Sequence, residues 1–265
     1  MISLAAGTVL DAGPAQVLQA ASSAGYDAAG LRVDPASVSL AEAARLRRQA
    51  DDSGLAVLDV EVVRLRPDSH LDDQRRLLDL AEALGARFLL TVSEHRDEAA
   101  TAAGLTRLHE AARGHTTRIA LEFMRFTGVP TLAAALALLD GNGLADAVVV
   151  VDALHLHRAG EPPEDLAAVP AERIGYVQLC DAPAHAPQGL DALSWEARHD
   201  RLAPGEGALP LSRLLAQVGP AVPLSVEVQS DRLTARSDHL SRARHLLAGT
   251  RRVLASAGRP GRSAI

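Results

Sequence analysis

An α/β fold, a single-domain (β/α)8 TIM barrel, is what the sequence predicts, and three observations predict it. Short β-rich runs alternate with longer Ala/Leu-rich segments along the whole chain. Eight such strand–helix units fit into 265 residues, the number and length that a closed barrel requires. No G-x-G-x-x-G turn follows an early strand, which counts against the runner-up, a doubly wound open sheet.

The units follow in order. "ISLAAGTV" (2–9) reads as the first strand, and "GPAQVLQAASSAG" as its helix, with Pro14 at the start and Gly25 past the end. "AAGLRVD" (28–34) precedes a helix that opens with the capping-box spacing Ser39-x-x-Glu42 and stops at Gly54. "AVLDVEVVRL" (56–65) is the third strand, and its helix carries Leu71, Leu77, Leu78, Ala81 and Leu84 along one face. "ARFLLTVSE" (86–94), "RIALEFM" (118–124), "AVVVVDALH" (147–155), "IGYVQLCDA" (174–182) and "VPLSVEVQS" (222–230) open the remaining units. The barrel is expected over 1–258 and a disordered tail over 259–265. The longest connection, 183–206, reads as a functional or mobile loop and carries Trp195 and Arg201.

Composition narrows the function. Hydrophobic residues make up 48 %, enough for a large core, yet aromatics are only 2 %, so that core is built from Leu, Val and Ala. A net charge of −6 without a basic stripe disfavours nucleic acid as the main partner. One cysteine fits a reducing, cytoplasmic setting. No stretch approaches the roughly 18 apolar residues of a membrane span, and the N-terminus reads as a strand, not a signal peptide.

In such a barrel the site lies at the C-terminal ends of the strands. Acidic or amide residues end several apolar runs there: Glu61, Glu122, Asp152, Gln178 and Glu227. Side chains two apart share a face. Leu224, Val226 and Val228 then face the helices, and Ser225, Glu227 and Gln229 face the axis. The same alternation turns Glu122 inward, and Gln178 inward with Tyr176 and Cys180. Inward carboxylates repel and resist ionisation when buried. A divalent cation resolves this, and an all-oxygen set suits Mg2+ or Mn2+ better than Zn2+. Gln178 would supply a neutral carbonyl oxygen. Glu61 is open to a second reading, a simple ion pair with Arg64 or another cation.

The runs "LEFMRFTGV" (121–129), "VVVDALHLHRAG" (149–160), "YVQLCDAP" (176–183), "RLAPGEGALPL" (201–211) and "LSVEV" (224–228) resemble the sugar phosphate isomerase/epimerase superfamily, the xylose isomerase-like TIM barrels. The resemblance covers nearly the whole chain. It implies one divalent metal, Mn2+ or Mg2+ with Co2+ or Zn2+ as further options, on Glu122, Asp152, Gln178 and Glu227. It also implies His155, from the Asp-x-x-His of strand six, as a substrate contact. Glu61, Arg125, Arg201 and Trp195 are the further substrate-binding candidates. Homodimers or homotetramers are common among such relatives.

The implied chemistry is proton transfer through a metal-stabilised enediolate of a small polyhydroxylated carbonyl compound, with Glu122 and Glu227 moving protons and His155 assisting. Isomerisation or epimerisation of a small sugar, keto-sugar or sugar phosphate is the first expectation. Gln178, where many isomerases carry histidine, keeps a second open: dehydration of a keto-polyol, a 3-dehydroshikimate-like acid or a 3-oxo-glycoside. An apurinic endonuclease is the remote third. It would need a histidine-rich multi-zinc cluster, for which His95 and His155 are the candidates at strand ends.

Overall fold

The computed structural model describes residues 1–259 as a closed, all-parallel barrel with strand order β1 to β8 around the ring. The strands are β1 (Ile2–Leu4), β2 (Ala28–Arg32), β3 (Ala56–Leu65), β4 (Phe88–Ser93), β5 (Arg118–Glu122), β6 (Val148–Asp152), β7 (Ile174–Leu179) and β8 (Leu224–Val226). Helices α1 (Pro14–Ala24), α2 (Leu40–Asp52), α3 (Leu71–Leu84), α4 (Glu98–Ala111), α5 (Leu132–Gly141), α6 (Ala153–Ala159), α7 (Leu190–His199), α8 (Leu211–Gln217), α9 (Asp231–Thr234) and α10 (His239–Ser256) accompany them. None of the described helices is long and apolar enough to cross a membrane. The expected tail 259–265 lies outside the described residues except for Arg259, whose guanidinium donates to the Leu215 and Gly219 carbonyls.

Local signals place the helix ends as the sequence suggests. The Ser39 hydroxyl accepts the Glu42 N–H at 3.2 Å and starts α2, and Pro14 begins α1. Gly25 closes α1 with φ 89°, a left-handed conformation that glycine takes at least cost. Two apolar layers result. Strand residues facing outward pack under the helices, while Ala28, Leu58, Phe88, Leu90, Ala120, Val148, Val150 and Tyr176 fill the barrel interior.

Three expectations are corrected. β1 stops at Leu4, and Ala6–Val9 turns into a 3-10 helix instead of extending the strand. β7 stops at Leu179, short of the expected 174–182, and Cys180 just beyond it is fully buried with its thiol 3.5 Å from Arg201 Nη1. An antiparallel bridge between Asp181 and Leu202 draws the chain aside there, and Cys180 joins the outer core. The connection 183–206 is not an open loop, because it contains α7. That helix buries Leu193, Glu196 and Ala197 at i, i+3, i+4 spacing, a stripe too short to stand out among polar neighbours.

A buried ion pair docks α7. Arg158 on α6 donates from Nη2 to Glu196 Oε1 at 2.7 Å and from Nε to Oε2 at 2.9 Å, with a third bond to the Pro183 carbonyl. The two side chains are 3 % and 7 % exposed. Removing one partner strands a charge away from water, so Glu196→Ala should cost about 3–5 kcal/mol in chemical denaturation. A loss under about 1 kcal/mol would mean the pair is effectively solvated.

Candidate active site

Strand register assembles the site. Asp152 pairs with Gln178, Gln178 with Ser225, and Ser225 with Ser3, so these four residues lie side by side across β6, β7, β8 and β1. On β5, β6 and β7 the last inward apolar residue is followed two places later by a polar one. Ala120 leads to Glu122, Val150 to Asp152, and Tyr176 to Gln178. The polar residues therefore sit one layer above the interior core.

Asp152 does two jobs at once. It ends β6 and caps α6, accepting the His155 N–H on Oδ1 at 2.9 Å. That cap sets His155 one turn up the helix, its Nε2 3.8 Å from Glu122 Oε1. Ligand atoms of Glu122, Asp152 and His155 all lie within 4.8 Å of one another, and all three residues are buried. No other group of three or more His, Cys, Asp or Glu side chains converges in this way among the described residues. The histidine-rich cluster of the endonuclease reading is thus not formed there.

Arg201 is the buried counter-ion. Its Nη1 donates to Asp152 Oδ2 at 2.6 Å and lies 3.3 Å from Glu227 Oε2, while its Nε donates to the Ala197 carbonyl. Its Nη2 lies 3.4 Å from His155 Nε2. One guanidinium faces several acids, and the carboxyls respond. Burial, then the Glu227 and Asp152 charges, push Glu122 well above the usual carboxylate range. Burial pushes Glu227 up to about 7, although Arg201 opposes it. Burial also works against the Asp152 charge, but the Arg201 charge and the hydrogen bonds from Arg201 and His155 hold that carboxyl below its ordinary value. Burial pushes the His155 imidazole down to about 4, so it is neutral at pH 7.

The donor set fits a divalent cation. The Gln178 side-chain carbonyl oxygen is buried with no hydrogen-bond partner, as a ligand atom awaiting a cation would be. The Glu–Asp–His group beside it offers hard oxygen donors and one imidazole, a set compatible with several divalent metals.

A cavity of about 270 Å³ opens above these residues, lined among others by Arg32, Glu61, Glu122, His155, Arg201 and Glu227. A larger hollow of about 510 Å³ lies at the opposite end of the barrel, where Asp146 is the only acidic lining residue. Glu61 pairs with Arg32 at 2.8 Å, not with Arg64, which is bound to Glu94. Arg125 is exposed and Trp195 is 57 % exposed, and neither lines the cavity. Their neighbours Phe126, Arg198 and His199 line it instead, with Trp195 stacked on His199 at 5.6 Å between ring centroids.

Sequence reasoning missed three contributors. Arg198 lines the cavity, and no carboxylate is paired with it among the described residues; its guanidinium lies 5.5 Å from the Phe126 ring centroid. Only the docking of α7 turns it there. Asp59 is buried with neither carboxyl oxygen hydrogen-bonded, and burial, then the Glu61 and Glu227 charges, drive its pKa well up. Its position two residues before Glu61 in "LDVEV" was a usable signal. Arg32, which holds Glu61, closes "AAGLR" and resembles any edge-of-strand charge in sequence.

Comparison with known proteins places the fold. The family model described as "Xylose isomerase-like TIM barrel" matches residues 18–252. A 3-dehydroshikimate dehydratase of Pseudomonas aeruginosa is 32 % identical over 202 residues, covering 70 % of this chain and 31 % of that protein. The chain spans about a third of the length of the curated relatives it matches, 31 % and 36 % of two of them. Among solved structures, the IOLI protein with a bound zinc atom superimposes with TM-score 0.82 at 18 % identity, over 97 % of this chain and 98 % of that one. A D-psicose 3-epimerase crystallised with D-fructose gives TM-score 0.73 at 16 % identity, over 96 % and 99 %.

Proposed function

Because the chain belongs to the xylose isomerase-like TIM barrel family, we propose that it is a divalent-metal-dependent lyase that removes water from a small, anionic, polyhydroxylated carbonyl compound, a 3-dehydroshikimate-like acid. The observation that carries this reading is Arg198. A guanidinium that lines the cavity above buried acids, with no carboxylate paired to it among the described residues, favours a substrate bearing its own carboxylate. The relatives named as 3-dehydroshikimate dehydratases support it.

Glu122, Asp152, Gln178 and Glu227 would hold the cation, which when bound supplies Lewis acidity toward a carbonyl oxygen and neutralises the crowded charge. The chain's own residues do the rest. A carboxylate whose proton affinity is raised by burial and by like-charged neighbours is a stronger base, and Glu122 and Glu227 are so raised. One of them takes the proton on the carbon next to the carbonyl. The electron pair left behind forms the C=C bond as the β-hydroxyl departs, and that hydroxyl takes up the proton the carboxyl has just accepted and leaves as water, which restores the base. His155, neutral at pH 7, donates a hydrogen bond to a substrate oxygen. Arg32 holds Glu61 in place, and Arg201 keeps Asp152 ionised and oriented.

The same residues would serve isomerisation or epimerisation if the proton returned to carbon with no hydroxyl lost. This is the second reading, and the epimerase among the structural neighbours favours it. Incubation with Mn2+ and 3-dehydroshikimate in D2O distinguishes the two. The lyase should give an unsaturated product with new ultraviolet absorbance. An isomerase should incorporate deuterium without losing water. Arg198→Met should raise KM for the acid roughly tenfold to a hundredfold, the scale of one charge-assisted bond, with a smaller change in kcat. An unchanged KM would remove the carboxylate reading.

A further inference from the structure

β1 pairs with β8 only as far as Leu4 and Val226. Past that point no β1 residue faces Glu227, because the chain has turned into the 3-10 helix Ala6–Val9. The Ala5 N–H still donates to the Val226 carbonyl at 3.1 Å, and the Thr8 side chain carries the pairing past it. Its hydroxyl donates to the Val226 carbonyl at 2.8 Å and accepts the Val228 N–H at 2.9 Å. The two residues flanking Glu227 are thereby tied to one side chain, itself 2 % exposed.

The turn bearing Thr8 is pinned in turn. Arg242 on α10, 1 % exposed, donates from Nη1 to the Thr8 carbonyl at 3.1 Å and to Asp11 Oδ1 at 2.8 Å. Its Nη2 donates to Asp11 Oδ2 at 3.2 Å and to the Ser237 carbonyl at 3.1 Å. Next to Thr8, the Gly7 N–H donates to Glu61 Oε1 at 3.3 Å, and any Cβ on Gly7 would collide with Glu227 Oε1. The turn lies tight against both carboxylates.

We infer that Thr8 is a positioning residue for Glu227, fixing the backbone on either side of it, with Arg242 as the buried cation that holds the Thr8 turn in place. Side chains that orient a metal-binding residue from behind typically change metal affinity tenfold to a hundredfold when removed. The inference rests on the reading of Glu227 as part of the cation site.

The test compares wild type with Thr8→Ser, Thr8→Val, Thr8→Ala and Glu227→Gln. Mn2+ affinity is measured by calorimetry, and amide hydrogen exchange is followed at Val228. Thr8→Val, nearly isosteric, should weaken Mn2+ binding about tenfold or more and speed exchange at Val228, whereas Thr8→Ser should behave as wild type on both. Thr8→Ala removes the hydroxyl without adding a methyl and should repeat the valine result. Wild-type Mn2+ affinity in Thr8→Val, alongside weakened binding in Glu227→Gln, overturns the inference alone. Wild-type affinity in Glu227→Gln overturns the reading of the site, and the inference with it.

Discussion

Glu122→Gln should lower turnover by about a thousandfold and yet make the metal-free protein more stable. The loss follows from the proposed role, since a positioned acid–base group contributes roughly 10²–10⁴ in rate. The gain follows from the surroundings. Neither Glu122 oxygen accepts a hydrogen bond among the described residues, and the nearest cationic candidate, His155 Nε2, is 3.8 Å away and neutral at pH 7. Burial and the Glu227 and Asp152 charges already penalise the ionised form. An amide of the same shape removes that penalty. Stabilisation on the order of 1 kcal/mol would raise Tm by about 2–4 °C for a chain of this size. Opposite signs for activity and stability are the mark of a residue kept for function at the expense of the fold. Thermal unfolding of the metal-free protein, beside turnover with Mn2+, checks both halves. If activity survives, or if stability drops by several kcal/mol, Glu122 is an ordinary structural residue.

Mn2+ affinity should fall about tenfold per pH unit, for each proton displaced, as pH drops below about 7. The cation and protons compete for the same carboxyls, and binding releases whatever protons they hold. Glu227, pushed up to about 7 from an ordinary 4.5, is half-protonated near neutrality without metal, and Glu122 is raised in the same direction. The sign for stability is opposite. A carboxyl raised by folding contributes most below its unfolded value and loses that contribution as pH rises through its folded value. The metal-free protein should therefore lose stability between about pH 4.5 and 7 through Glu227, with Glu122 acting in the same direction, and Mn2+ should restore it most at the upper end. Calorimetry in two buffers of different ionisation enthalpy counts the protons released. Release near zero at pH 6, with pH-independent affinity, would show that the carboxyls are already ionised there.

Much of this was legible in the chain because period-two alternation and strand ends are local properties. Alternation alone turns Glu122 and Gln178 inward, and the interior apolar residues Ala120 and Tyr176 two places earlier agree with it. It overran the end of β7, where a bridge from Asp181 to Leu202 joins residues distant in sequence. Asp59 was legible in "LDVEV" but passed over, because one strand residue before another acid carries no sign of how deeply it will be buried.

The sequence by itself determined the eight-unit barrel and the acids at its strand ends, since each depends on spacing within one strand–helix unit. Only the tertiary structure decided how the charges are divided. Arg201 lies against Asp152 and Glu227, Arg32 takes Glu61, and Arg198, itself exposed and bonded to Ser194 Oγ, lines the cavity while Arg125 does not. In sequence these arginines are alike. What separates them is the docking of α7 through the buried Arg158–Glu196 pair and the closing of the barrel by β8 against β1. Coulomb energies depend on distance and burial, and neither exists until the chain has closed.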